Sequence, residues 1–206
     1  MKIEHIVYIN LDSRTDRREH MEAQLEKYGL TGVAERFAAI ANPGFGIWGC
    51  GQSHLAVLKS ALERGWDHVL IFEDDFEFVI SPEEFHRRLT DLPDHPHFDV
   101  LMMAYNMRES EHLSEGCRFA PSYQRVLFAQ TASAYLVKES EYDALIELYE
   151  RVLPLLLSTG MHWLYANDVA WKPLQEQHLW IAPIERWGKQ MDGYSDNAQE
   201  FMSYNC

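Results

Sequence analysis

At 206 residues the chain is sized for one domain, and a core of that size buries roughly 70% of the unfolded surface without a disulfide or zinc staple. A composition of 47% hydrophobic, 24% charged and 13% aromatic residues excludes a disordered chain. The net charge of −14 repels a phosphate backbone and argues against general nucleic-acid binding unless a local basic patch overrides it.

In chain order, Ile3–Leu11 is β-rich, and the period then changes to three or four with Met21, Leu25 and Tyr28 ahead of Gly29, which predicts a strand and a helix over 14–28. A short strand is expected near Glu35–Ala39. The glycine-rich stretch from Pro43 to Gly51 follows, with Ser53 read as the cap of a second helix that carries Leu55, Leu58, Ala61 and Leu62. His68–Phe72 is an apolar run bounded by turn signals, read as a buried parallel strand, and it leads directly into Glu73, Asp74 and Asp75. Ser81, Pro82 and Glu84 predict a capped helix to about Leu92. Phe98–Met103 is expected as a buried strand, 106–122 as a loop or flap, and 124–137 as strand-like pieces. Glu139–Arg151 and Leu164–Gln175 read as helices, Leu179–Ile181 as a strand, and the tail after Glu185 has no period. Strands alternating with helices argue for an α/β sandwich with a mostly parallel central sheet.

Three cysteines without CxxC spacing argue against a disulfide framework or structural zinc, and for a reducing compartment. The amino terminus is too short and too polar for a signal peptide, and no run reaches the ~20 residues of a membrane span. A cytoplasmic protein is the expectation, in the host cytoplasm if the source is viral.

Three constellations carry chemistry. Carboxylates clustered at the carboxyl end of a buried strand repel one another, and a hard cation, Mn²⁺ or Mg²⁺, relieves that repulsion while leaving positions for a substrate phosphate. The plain alternative is an acidic strand end. Asn10 and Leu11 followed by Arg14, Arg17 and Arg18 would suit a diphosphate, or else form a solvated face paired with Asp16, Glu19 and Glu22. Gly49–His54 would allow close backbone approach and anion binding at a helix start; His54 faces a ribose or phosphate, or simply packs there. Walker, HExxH and GxSxG motifs are absent from the sequence.

The segments VYINLDSRTDRREHMEAQLEKYGL, ERFAAI, GCGQSHLAVLKSAL and HVLIFEDDFEF, in that order and spacing, resemble glycosyltransferase family 25, most clearly over residues 3–80. That family includes bacterial lipooligosaccharide galactosyltransferases and procollagen galactosyltransferases. The resemblance implies a GT-A-like nucleotide-sugar fold and a metal-dependent, inverting transfer of galactose or glucose from a UDP-hexose to a glycan or protein hydroxyl. A non-catalytic nucleotide- or carbohydrate-binding module of the same fold is the alternative. Residues 1–206 would form one domain, with the nucleotide-sugar and metal half in 1–103 and the acceptor half and tail in 104–206.

By the same resemblance Asp75 is a ligand of Mn²⁺ or Mg²⁺, with Asp196 as a second. Glu73 and Asp74 orient sugar and ribose. Asn10, Leu11, Arg14 and Arg17 belong to the nucleotide pocket with Ala39 and Ile40 near the base, and Ser53, His54 and Ser195 lie near the donor. Asp168 is the implied general base, the alternative being a capping aspartate. Trp163, Trp171 and Trp187 are read either as a sugar-stacking face or as core. No transmembrane segment is expected, and peripheral membrane contact is compatible with such an acceptor.

Overall fold

The computed structural model describes residues 2–92, 98–113, 122–195 and 200–202. The elements in order are β1 (Ile6–Asn10), α1 (Thr15–Lys27), β2 (Ala34–Ala38), α2 (Gly46–Glu63), β3 (His68–Glu73), β4 (Phe76–Phe78), α3 (Pro82–Asp91) and β5 (Val100–Met102). They continue with β6 (Asn106–His112), β7 (Tyr123–Gln130), β8 (Ala134–Lys138), α4 (Glu139–Thr159), α5 (His162–Tyr165), α6 (Asn167–Ala170) and α7 (Lys172–Gln177). Strands β9 (Trp180–Pro183), β10 (Gly188–Gln190), β11 (Gly193–Ser195) and β12 (Glu200–Met202) complete the chain.

Eight strands form one sheet in the order β2-β1-β3-β8-β5-β9-β7-β6. Six of them run in one direction; β8 and β7 oppose the rest, which makes the sheet mostly parallel by direction although it holds four antiparallel pairings. Strands from before and after residue 103 interleave in it.

Period-2 alternation sorts the strand side chains onto two faces. Val7 and Ile9 of β1 and Val69 and Ile71 of β3 join one core with Leu55, Leu58, Leu145 and Leu153 of α2 and α4. Ile6, Tyr8, Leu70 and Phe72 join a second core with Met21, Leu25, Phe85 and Leu89 of α1 and α3. A sheet covered by helices on both sides reads as continuous apolar runs, as IVYIN and HVLIF do.

Several boundaries differ from the sequence expectation. Ser53 does not cap α2, because the helix begins seven residues earlier at Gly46 and takes in the glycine-rich stretch. A Cβ on Gly49 would lie 2.3 Å from the Ile40 carbonyl oxygen, and one on Gly51 would lie 2.5 Å from a Leu153 methyl. These glycines let α2 approach other parts of the protein closely, at a helix-propensity cost of roughly 0.5–1 kcal/mol each.

Helix α4 runs eight residues past Arg151 and through Pro154. An interior proline costs about 3 kcal/mol, but burial of Val152, Leu153 and Leu156 beyond the expected end returns ~1.5–3 kcal/mol apiece. The single helix expected over 164–175 is three short pieces, α5, α6 and α7, interrupted at Ala166 and Trp171.

Residues 106–112 are a strand and not a loop. Among the described residues β6 is an edge strand paired only with β7, and it is largely exposed, so its ladder bonds leave no hydrophobic period in the sequence; Arg108, Glu109 and Glu111 give it the charged character that protects edges. The tail contains the β10 and β11–β12 pairings. Among the described residues, no helix is long and apolar enough to cross a membrane.

Candidate functional site

The carboxyl ends of β1, β2 and β3 lie side by side, since Asn10 pairs with Ala38 and Ile9 with Glu73. They open into a cleft of about 380 Å³. Leu11, Arg14, Arg17, Ala39, Ile40, Glu73, Asp74 and Asp75 line it, together with Ser13, Asn42, Cys50 and Gln190. Residues proposed from three separated segments therefore meet in one concavity.

The three carboxylates diverge. Glu73 turns toward α2, where its Oε1 accepts from His54 Nε2 at 3.0 Å and from the Cys50 thiol at 3.4 Å. Burial acts against its charge, yet these hydrogen bonds and Arg17 hold its carboxyl below the usual range. His54 is wholly buried, and its Nδ1 lies 2.8 Å from the Tyr135 hydroxyl. With Glu73 ionised, Nε2 carries a proton that it donates to Oε1, and Nδ1 is the ring atom that faces the Tyr135 hydroxyl.

Asp74 Oδ2 accepts from Asn10 Nδ2 at 2.7 Å and its Oδ1 from Arg17 Nη1 at 3.1 Å. Burial outweighs these bonds and raises its pKa. Asp75 Oδ2 accepts from Arg17 Nη1 at 2.9 Å and from Gln190 Nε2 at 3.1 Å. Burial first, then the neighbouring Glu73 charge, pushes Asp75 up to about 7 against the pull of Arg17. In this adjacent pair Glu73 carries the charge and Asp75 keeps the proton longer.

Asp75 Oδ1 is buried with no hydrogen-bond partner among the described residues. An unpartnered carboxyl oxygen in a crowd of acids, beside the cleft, is the kind of donor that suits a hard divalent cation. The residues fit such an ion: Asp75 would hold it and Asp74 would stand beside it.

Asp75 gives a sign-definite pH dependence. Its folded pKa lies above the unfolded value of 3.8, so its contribution to stability is fully present below pH 4 and is lost as pH rises through about 7. In EDTA, the stability of wild type relative to Asp75→Asn, read from thermal melts, is expected to fall between pH 5 and pH 8, by a few kcal/mol at most in order of magnitude. A constant difference across that range would show that Asp75 ionises normally.

The remaining residues act at the rim or behind it. Asn10 is buried; besides binding Asp74 it accepts from Arg36 Nε at 3.0 Å, which ties β1 to β2. Arg14 lines the cleft while also pairing with Asp16 at 2.7 Å, and Arg18 pairs with Glu22 on the outer helix face. Ser53 Oγ accepts from the Ile40 N–H and donates to the Gly49 carbonyl, both at 2.8 Å, so it fixes the strand-to-helix turn that forms one wall.

Asp168 is outside the cleft lining; the Cys50 thiol, which is part of that lining, is pushed up by burial first, then by Glu73, and only to a smaller degree by the Asp168 charge. Its Oδ2 accepts from the Thr131 N–H at 3.1 Å, and Thr131 holds a φ of 91°, an uncommon conformation for a β-branched residue. Burial raises the Asp168 pKa, opposed by that hydrogen bond.

Ser195 ends β11, and Asp196 lies outside the described residues. Trp171 and Trp187 are fully buried in the two cores, which excludes them from a sugar-stacking face; Trp163 is exposed. Gln190 was not legible in the sequence. It reaches Asp75 because β10 pairs with β4 directly after the acidic triplet, matching Gln190 with Phe76.

No protein-family model matches the chain. Among solved structures it is similar to a glycosyltransferase involved in the glycosylation of the major capsid of PBCV-1, at 10% identity over 96% of this chain and 97% of that one, with a TM-score of 0.51. The fold is glycosyltransferase-like. A second structure, mannose-1-phosphate geranyltransferase from Thermus thermophilus, matches at 13% identity over 91% of this chain and 75% of that one, also with a TM-score of 0.51. At such identities the likeness extends to the glycosyltransferase-like fold and stops short of chemistry.

Proposed function

We propose that the protein is a metal-dependent, inverting hexosyltransferase that moves galactose or glucose from a UDP-sugar to a glycan, lipooligosaccharide-like, or to a protein hydroxyl. The observation that carries this reading is the convergence of Leu11, Arg14, Arg17, Ala39, Ile40 and the acidic triplet on one cleft at the carboxyl edge of a glycosyltransferase-like sheet.

In this reading Leu11, Ala39 and Ile40 flank the uracil, and Arg14 meets the diphosphate. Asn10 and His54 hold Asp74 and Glu73 so that their other edges face ribose and sugar. Mn²⁺ or Mg²⁺ would be held by Asp75, with Asp196 as the second ligand and Ser195 near the donor, and would supply charge that neutralises the departing diphosphate. Asp168 takes the proton from the acceptor hydroxyl, and its raised pKa strengthens it as a base. Family 25 remains the resemblance that motivates UDP-hexose as donor.

A specific observation favours the alternative. Arg17 Nη1 bridges Asp74 and Asp75, so a guanidinium already supplies positive charge where a cation would. A nucleotide- or carbohydrate-binding module without turnover would keep that arrangement. Incubation with radiolabelled UDP-galactose or UDP-glucose, Mn²⁺ and a panel of glycan and peptide acceptors separates the two. Acceptor-dependent transfer is the expected outcome. Unchanged donor supports the binding module, and free sugar released without acceptor dependence overturns both.

A further inference from the structure

We infer that Cys50, His54 and Glu73 form a site for a borderline-soft divalent cation, Zn²⁺, separate from the hard-cation position at Asp75. Cys50 and His54 sit four residues apart on α2 and so share one helix face, while Glu73 ends β3 opposite them. Their ligand atoms, Sγ, Nε2 and Oε1, all lie within 4.8 Å of one another.

Two hydrogen bonds converge on a single oxygen, from the thiol at 3.4 Å and from the imidazole at 3.0 Å. Tetrahedral zinc, with Zn–S of about 2.3 Å and Zn–N and Zn–O of about 2.0–2.2 Å, needs S···O and N···O separations of about 3.6 and 3.4 Å. These atoms already stand within a few tenths of an ångström of that requirement on both edges. A thiolate, an imidazole and a carboxylate are the donor mix that selects zinc over magnesium.

The outer groups suit this as well. Binding forms Zn–S, Zn–N and Zn–O bonds and releases the thiol proton to solvent. The bound imidazole is neutral: Nε2 gives up its proton as the metal takes that place, and the one proton of the ring sits on Nδ1, where the Tyr135 hydroxyl oxygen, 2.8 Å away, accepts it. Cys50 and Glu73 line the cleft, so the fourth position faces water or a ligand oxygen there. Unlike Asp75, whose bridging partner is an arginine, this trio is surrounded by no cation that occupies its centre in the described contacts. The inference goes beyond the donor-site reading and does not depend on it.

The test is a Co²⁺ titration of the full chain, followed by near-ultraviolet and visible absorption. Wild type is expected to develop a thiolate-to-cobalt charge-transfer band that saturates at about one equivalent and is displaced by Zn²⁺. Cys50→Ala is expected to lose the band and to bind Co²⁺ at least ~10-fold more weakly. Cys50→Ser, nearly isosteric, does the same if the alanine variant fails to fold. Asp75→Asn keeps the band whatever it does to UDP binding, which separates this test from that of the transferase reading. A wild type without the band overturns the inference, and so does a band that persists in the folded Cys50 variant, since the thiolate would then come from another cysteine.

Discussion

Asp75→Asn is expected to weaken UDP binding in Mn²⁺ at least ~10-fold, about 1.4 kcal/mol, and EDTA is expected to do the same to wild type. Asparagine keeps an oxygen able to accept from Arg17 and Gln190, so those two contacts survive the change. What disappears is the second carboxyl oxygen, Oδ1, which has no hydrogen-bond partner among the described residues and through which the proposed cation would bind. The loss of turnover should be far larger, at least ~10³-fold or about 4 kcal/mol, because charge on the leaving diphosphate develops in the transition state. Isothermal titration of UDP into both proteins, with Mn²⁺ and with EDTA, decides the first part. Binding indifferent to metal and to substitution would leave Arg17 as the permanent counter-ion of Asp74 and Asp75, and the transferase mechanism would have to be abandoned.

The sequence located the triplet but not its divergence. HVLIF read as a buried strand ending in acids because burial on both faces makes an apolar run and the turn after it breaks that run. Nothing in Glu73-Asp74-Asp75 says that three neighbours will point to α2, to Asn10 and to Gln190, since those directions depend on tertiary partners 19, 64 and 115 residues away. Arg17 was legible as a cleft residue but not as a bridge between two aspartates.

Elsewhere the limits were of a different kind. Pattern reasoning detects helices through burial of one face, so α1 and α3 were found nearly to the residue, with Ser81 accepting from Glu84 N–H as its capping role requires. β6 escaped because an edge strand exposed along most of its length has no apolar period to read. β10 is three residues long, too short to carry one. Proline and glycine misled in the same direction: the expected helices stopped at Arg151, short of Pro154, and started at Ser53, past Gly46–Gly51, and in both places close contact between elements overrode local propensity.

That override can be measured at Gly49. Alanine has the better helix propensity by roughly 0.5–1 kcal/mol, so local reasoning alone expects Gly49→Ala to stabilise the protein. The structure reverses the sign. The new Cβ would lie 2.3 Å from the Ile40 carbonyl oxygen and 3.3 Å from the Asn42 nitrogen, both backbone atoms with no rotamer to yield. Relief requires α2 to move away from the turn after β2, and that movement lengthens the 2.8 Å bond by which Ser53 holds the Ile40 N–H. Overpacking of this kind costs about 1–3 kcal/mol, enough to outweigh the propensity gain. Urea denaturation should therefore show Gly49→Ala destabilised, and because Ile40 and Asn42 line the cleft, UDP affinity should fall with it. Gly32→Ala is the control, since a Cβ there meets nothing within 4 Å. A Gly49→Ala protein as stable as wild type, binding UDP equally well, would show that the wall formed by residues 40–42 adjusts freely and that Gly49 is in α2 for no steric reason.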